Sequence, residues 1–375
     1  MGDKTRPLVV RHGRLLGYRL LDVADEIDLA HAQTLVEANA SRRGAMTHEG
    51  ARSLVLAAQP LDIPLGTRSF RLPRVGATLN AEVSAHLFQY GAVSIAFEVP
   101  IVEGTALGDL VALCDEIYET PELDRLARDM VAPLLARLLP AVRGRHDWEG
   151  IEEYTVVYVQ RFDGDPPASD VLSSPVLASL VVGEPPSRRL SHGERQDVLK
   201  HAHSYFDDDL VVVDWNSAFV LEPSGSRDIP DLLEIATSQL LELRYYDGLF
   251  DRELARVYRE LELARRGGLA YVVQNPWVDL GRRVVRELVE LSEFAERIDN
   301  ALKIIGDFYL ARVYESAVRR FRIRSWQSSI DAKQALLAQA YGLVRGEIES
   351  RRSTVLELVV IALIVLEVIL ALVRK

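Results

Sequence analysis

Val355–Val373 reads VLELVVIALIVLEVILALV: fifteen of its residues are Leu, Ile or Val, two are Ala, and only Glu357 and Glu367 are polar. As an α-helix this run is about 28 Å long, close to the roughly 30 Å hydrocarbon core of a bilayer. At about −0.3 to −0.6 kcal/mol for each Leu, Ile or Val, insertion outweighs a central carboxylate costing about 3 kcal/mol. The run is therefore expected to be a single transmembrane helix rather than a buried helix of an oligomeric core. Arg345, Arg351 and Arg352 precede it and Arg374 and Lys375 follow it, while the N-terminus has no secretory signal. The body is then expected in the cytoplasm on a C-terminal membrane anchor, with Arg351 and Arg352 facing head groups. Glu357 lies at the entry end, where a carboxylate costs less. Glu367 has no cation within its own helical turn and is expected to stay protonated near the interface, draw in water, or find a partner on another helix and so favour self-association.

Upstream of the run the pattern is helical. Asp231 to Arg266 reads as one helix ended by Gly267 and Gly268, and Asn275 with Pro276 starts the next. There Val284, Leu288, Leu291, Ala295, Ile298, Leu302, Ile305 and Tyr309 form an unbroken coiled-coil seam. After Ser325 a second face carries Trp326, Ile330, Leu337, Tyr341, Val344 and Ile348. The expectation is a long antiparallel hairpin turned near Arg322–Ser325, with a homo-oligomer using the same seam left open.

Residues 1–228 read as a mixed α/β body, followed by a helical domain over 229–354 and the membrane segment over 355–373, an α+β fold overall. Strands are expected at Leu15–Val23, Ser53–Ile63, Val75–Val83, Tyr90–Val99, Tyr154–Phe162, Leu210–Trp215 and Ala218–Leu221. Asp28 reads as the cap of a helix to Ala40, and Thr120 with Pro121 as the start of one that Pro133 kinks or ends.

The 375 residues are 48% hydrophobic and 26% charged, which excludes a disordered chain, and the net charge of −11 repels nucleic acid and anionic surfaces as a whole. The charge is divided. Leu310–Arg352 has nine Lys or Arg against four Asp or Glu, net +5, leaving −16 on the body. Within this basic neck, Arg319, Arg320, Arg322 and Arg324 alternate with Phe321, Ile323 and Trp326, a pattern that grips phosphates and bases or a protein partner, or that simply solvates a helix end. His201, His203 and Asp207 are the candidate metal ligands, set against a polar loop that feeds the next strand. The lone Cys114 reads as a small core hydrophobe, and Asp247 with Asp251 as a salt-bridged helical face. Gly-x-Ser-x-Gly, the phosphate-binding loop and the dinucleotide glycine fingerprint are absent, so neither a cofactor nor a catalytic residue is expected.

The segments IDNALKIIGDFYLARVY (298–314), WQSSI (326–330) and LELVVIALIVLEV (356–368) resemble the required-for-meiotic-nuclear-division family, also called YagE-like, a domain of unknown function. The resemblance implies an α/β body on a helical hairpin and membrane anchor. Its mitochondrial relatives are inner-membrane proteins that oligomerise and support translation, and no catalytic residue carries over. The sequence reading is thus a tail-anchored scaffold or tether acting through oligomerisation on an unidentified protein partner. The alternatives are a metal-dependent hydrolase centred on His201 and His203, and a ribosome or RNA tether using the basic hairpin tip.

Overall fold

The computed structural model describes residues 7–36, 41–42, 59–147, 149–184, 188–266 and 308–373, with isolated positions between 281 and 290. The chain divides into two compact units, Met1–Tyr245 with Ile298–Arg324, and Tyr246–Arg297 with Ser325–Lys375.

The first unit is built on β1 (Val9–Asp22), whose even and odd residues from Leu15 to Asp22 are buried on opposite faces of one sheet. Antiparallel to it run β6 (Ala92–Pro100) on one side and β9 (Ile151–Phe162) on the other. Between β1 and β6 the chain forms β2 (Glu26–Ile27), α1 (Leu29–Leu35), β3 (Ser41–Arg42), β4 (Leu61–Leu72) and β5 (Ala77–Leu87). After β6 come β7 (Thr105–Ala106), α2 (Leu110–Tyr118), α3 (Pro121–Leu138) and β8 (Val142–Arg143). Beyond β9 lie α4 (Ala168–Ser173), α5 (Leu177–Val182), α6 (His192–Leu199), β10 (Ala202–His203), β11 (Leu210–Val213) and β12 (Ser217–Leu221). Among the described residues the main sheet has the order β10-β11-β12-β9-β1-β6-β5-β4-β3, and β12 lies parallel to β9. Its parallel crossover is why the β9–β12 connection needs the helices α4 to α6.

One sheet face is apolar. Leu15, Leu21, Ile95, Phe97, Val157, Val159 and Phe219 pack there with Leu110, Ile117, Leu123, Val131, Leu177 and Leu180 of α2, α3 and α5. A single arginine interrupts it: Arg19 is fully buried, and its guanidinium reaches Asp124 at 2.7 Å, the Ile117 carbonyl at 2.9 Å and Glu153 at 3.6 Å. The other face carries Tyr18, Asp22, Ser84, His86, Ser94, Glu152, Tyr154 and Tyr158, and is covered by the first part of α7 (Asp228–Arg266) and by α8 (Phe308–Arg320). Polar side chains there are matched across the layer: His86 by Glu234, Glu152 by Arg244, and Tyr90 by Ser238.

In the second unit, α7 from Tyr246 onward lies beside α9 (Ile323–Val373) from Ser325 onward. Lys333 joins Asp247 at 2.8 Å and Asp251 at 2.7 Å, and Phe250, Leu254, Val257, Ile330, Leu337 and Ala340 are buried. The Asp247–Asp251 pair is thus consumed in structural ion pairing. The expected seam from Val284 to Ile305, and the Gly267, Gly268, Asn275 and Pro276 signals, fall outside the described residues.

Local signals match closely. The Asp28 carboxylate accepts from the amides of Ala30 and His31, and Pro121 occupies the first turn of α3. Pro133 does not end α3, which continues to Leu138.

The membrane anchor is corrected. Among the described residues no helix is long and apolar enough to cross a membrane. The apolar run is the last part of the 51-residue helix α9. The transmembrane helix of the expected α+β architecture falls with it, as do the tail-anchored topology and the single-pass anchor that placed the body in the cytoplasm. The architecture is mixed α/β around a large sheet.

Two measurements check the fold. Gly91 has φ +100°, and a Cβ there would lie 1.6 Å from the Ala24 carbonyl oxygen, whereas Gly76 at φ +72° has open space. Gly91→Ala should cost about 3 kcal/mol or more in urea unfolding, and Gly76→Ala only about 1 kcal/mol. Equal costs would contradict the tight Val23–Gly91 crossing. Second, burial pushes the Glu152 carboxyl up to about 7 against the opposing pull of Arg244. A carboxyl raised in the native state stabilises most below its unfolded value near 4.5, and that stability is lost as pH climbs through about 7. Glu152→Gln should therefore gain on the parent by about 2–3 kcal/mol between pH 5 and 8. A pH-independent difference would show that Glu152 is ionised throughout.

Candidate functional site

The loop between β10 and β11 is held by one buried carboxylate. Asp209 accepts from the Tyr205 amide at 2.6 Å and the Phe206 amide at 3.2 Å. The Ser204 hydroxyl reaches the Phe206 carbonyl at 2.5 Å and the Asp209 carbonyl at 2.7 Å. The Ala168 amide donates to the Asp207 carbonyl at 2.8 Å, tying the loop to the start of α4. Local acceptors of this kind fix a turn that the strand ladder cannot reach.

The result is display. Tyr205 is 54% and Phe206 56% exposed, and their rings meet edge to face at 4.9 Å. Tyr205 packs against Tyr309 of α8 at 5.5 Å, and the Arg312 guanidinium lies over the Tyr309 ring at 5.7 Å. Phe308 is 92% exposed at the start of α8. Leaving aromatic rings in water forgoes on the order of 1.5–3 kcal/mol each.

A cleft of about 410 Å³ opens beside this loop at the carboxyl ends of the parallel strands β9 and β12, with His12, Gln160, Arg161 and Asp208 on its walls. Arg161 is forked onto Asp165 at 2.9 and 2.8 Å, so its charge is spent within the wall.

The metal candidates lie in a cationic setting. His201 is buried and its imidazole is pushed down to about 4, by desolvation first and then by Arg320 and Lys200. His203 is likewise lowered by burial, then by Arg312 and Arg319, and its Nε2 is 2.7 Å from the Ser316 hydroxyl. Asp207 points out of the loop, exposed. Among the described residues no three His, Cys, Asp or Glu side chains form a group that could hold a metal ion.

The arginine cluster splits. Arg320 is drawn inward, 2.8 Å from Asp197 and bonded to the buried Asp214, whose carboxyl is raised by burial against the opposing pull of Arg320. Arg319 and Arg324 stay exposed, 3.7 and 3.9 Å from the shared carboxylate of Glu315. Arg322 takes φ +56° as the chain leaves α8 and is exposed. Cys114 is buried, with its thiol pushed up to about 12 by desolvation. On α9, Glu357 and Glu367 are exposed, and the side chains of Arg351 and Arg352 lie outside the described residues. Tyr205, Phe206, Phe308 and Arg312 are the surface residues the sequence reading missed. The signal for the first two is the consecutive aromatic pair in an otherwise polar loop.

This division is measurable. Arg320→Ala leaves the buried Asp214 carboxylate without its partner and should cost about 3–5 kcal/mol in chemical denaturation. Arg319→Ala should stay within about 0.5 kcal/mol of the parent. Similar losses for the two would refute the inward placement of Arg320.

Residues 12–227 match the family described as uncharacterized protein MJ0711, N-terminal domain. A curated relative, uncharacterized protein MJ0711 of Methanocaldococcus jannaschii, is 25% identical over 187 residues, covering 48% of this chain and 53% of its own length. The chain thus spans about half the length of the relative it matches. No solved structure matches. The matched segment is the sheet body, not the C-terminal helices on which the resemblance to the YagE-like family rested, and that assignment is replaced. With more than half of its residues in that match, the chain belongs to the MJ0711 N-terminal domain family.

Proposed function

We propose that this chain is a scaffold or tether that holds a protein partner on the surface formed by the Ser204–Asp209 loop and the outer side of α8. The observation that carries the reading is the pair Tyr205 and Phe206, kept out in water by a loop whose amides are locked onto buried Asp209. A rigid aromatic pair beside arginines has the composition of an interface hot spot, and its fixed backbone removes ordering cost on binding.

The charge pattern favours a protein over a nucleic acid. Glu315 offsets Arg319 and Arg324, and Asp207 and Asp208 are exposed on the loop itself, so no continuous basic track is offered to a phosphate backbone. The arginines around His201 and His203 likewise oppose a bound cation and speak against the hydrolase reading. Oligomerisation through the seam from Val284 concerns residues outside the described ones and adds nothing here.

The test compares the full chain with Tyr205→Ser/Phe206→Ser as bait in quantitative affinity capture, with thermal melts of both. Two lost hot-spot rings should deplete a specific protein at least about tenfold while the melting temperature holds. An unchanged protein set would sink the reading. RNA depleted instead, with steep salt dependence, would transfer the surface to nucleic acid.

A further inference from the structure

Ser84 and His86 stand two residues apart on β5 and so share the face that α7 covers. The Ser84 hydroxyl is 2.9 Å from His86 Nε2, and His86 Nδ1 is 2.5 Å from Glu234 Oε1 on α7. A carboxylate only accepts, so Nδ1 carries a hydrogen, and in the neutral ring Nε2 is then the acceptor for the Ser84 O–H. Nucleophile, base and orienting carboxylate are thus in register. Asp62, directly across the ladder from His86, places Oδ1 3.7 Å from Nε2, so a second carboxylate faces the imidazolium that proton uptake creates.

Access is graded in the sense catalysis needs. His86 is 0% exposed and the Glu234 side chain 3%, whereas Ser84 is only half-buried. Across the ladder Ser84 faces Pro64 and Ala96, both short, and β4 bulges between Pro64 and Gly66. Bulges are enriched beside active sites, where they re-aim side chains.

We infer that Ser84, His86 and Glu234 form an acyl-transfer centre for small carboxylic esters, an activity separate from the partner surface. Ser84 Oγ attacks the ester carbonyl carbon while its proton passes to His86 Nε2. The tetrahedral adduct collapses, and the departing alkoxide takes that proton, leaving the acyl group esterified to Ser84. Water then attacks the acyl-enzyme, giving its proton to Nε2. Collapse releases the carboxylic acid and returns the proton to Ser84 Oγ. Ser84 and His86 are the catalytic residues, and Glu234 is a positioning residue that fixes the tautomer.

The experiment uses the full chain with a neutral alkyl fluorophosphonate, which forms a Ser O–P bond and expels fluoride, followed by peptide mapping, and in parallel p-nitrophenyl acetate hydrolysis. The expected result is one adduct, on Ser84. Ser84→Ala, at a half-exposed site that spares the core, should abolish it and lower p-nitrophenolate release at least about 100-fold. Glu234→Gln should slow labelling at least about tenfold and alter its pH profile, with Glu234→Asp recovering part of the rate. An adduct elsewhere, no adduct, or parental hydrolysis by Ser84→Ala overturns the assignment. So does Glu234→Gln labelling at the parental rate in a folded protein.

Discussion

The structure depends on a sheet covered on both faces. Once α2, α3 and α5 seal one side of β1, β6 and β9, and α7 with α8 seal the other, water cannot satisfy a polar side chain in either layer. A buried polar group without a partner costs a few kcal/mol, enough to matter against the marginal stability of a domain. The largest charged groups are met from across the layer, while Ser94 Oγ and Thr155 Oγ1 are buried without a hydrogen-bond partner among the described residues. Arg19 is met by Asp124, the Ile117 carbonyl and Glu153, Glu152 by Arg244, His86 by Glu234, and Arg320 by Asp214. These pairs connect residues about a hundred positions apart and fix where the helices sit.

That also marks what a sequence reveals. Period-two alternation located β6, a β-branched and aromatic run located β9, and the Asp28 and Pro121 signals located α1 and α3, because those features are local. The same reasoning failed where the deciding interaction was distant. Arg320 reads like its neighbours Arg319 and Arg322, yet it alone faces Asp214. His201 and His203 read as ligands by spacing, whereas their surroundings are set by Arg312, Arg319 and Arg320 on a helix more than a hundred residues later. The tail was misread in another way: its apolar run was taken by itself as a membrane span, whereas it is the last part of a 51-residue helix and no helix among the described residues is long and apolar enough to cross a membrane.

The Ser204–Asp209 loop illustrates a different kind of illegibility. Four of its residues, Ser204, Asp207, Asp208 and Asp209, are ordinary turn formers, and composition cannot say which carboxylate turns inward. Asp209 does, and its two amide contacts oblige Tyr205 and Phe206 to face out. The apolar rings of the loop are exposed because its polar anchor is buried, so their display follows from the core and not from surface composition.

The buried pairs on the second face also explain how a reactive geometry could arise there. Glu234 meets His86, and four residues later Ser238 meets Tyr90, itself four residues beyond His86. One turn of helix is thereby matched to one short advance along the strand and its turn, and a slip of α7 by a single residue would rotate both contacts by about 100°. Arg244 on Glu152 adds a third point on the same helix. A helix pinned this way holds Glu234 within hydrogen-bonding tolerance of His86, and the strand period delivers Ser84 to the opposite ring nitrogen without further adjustment. The interactions that set the register of α7 and those that activate Ser84 are one set of contacts, so seating the helix correctly and holding His86 between Ser84 and Glu234 are the same structural requirement.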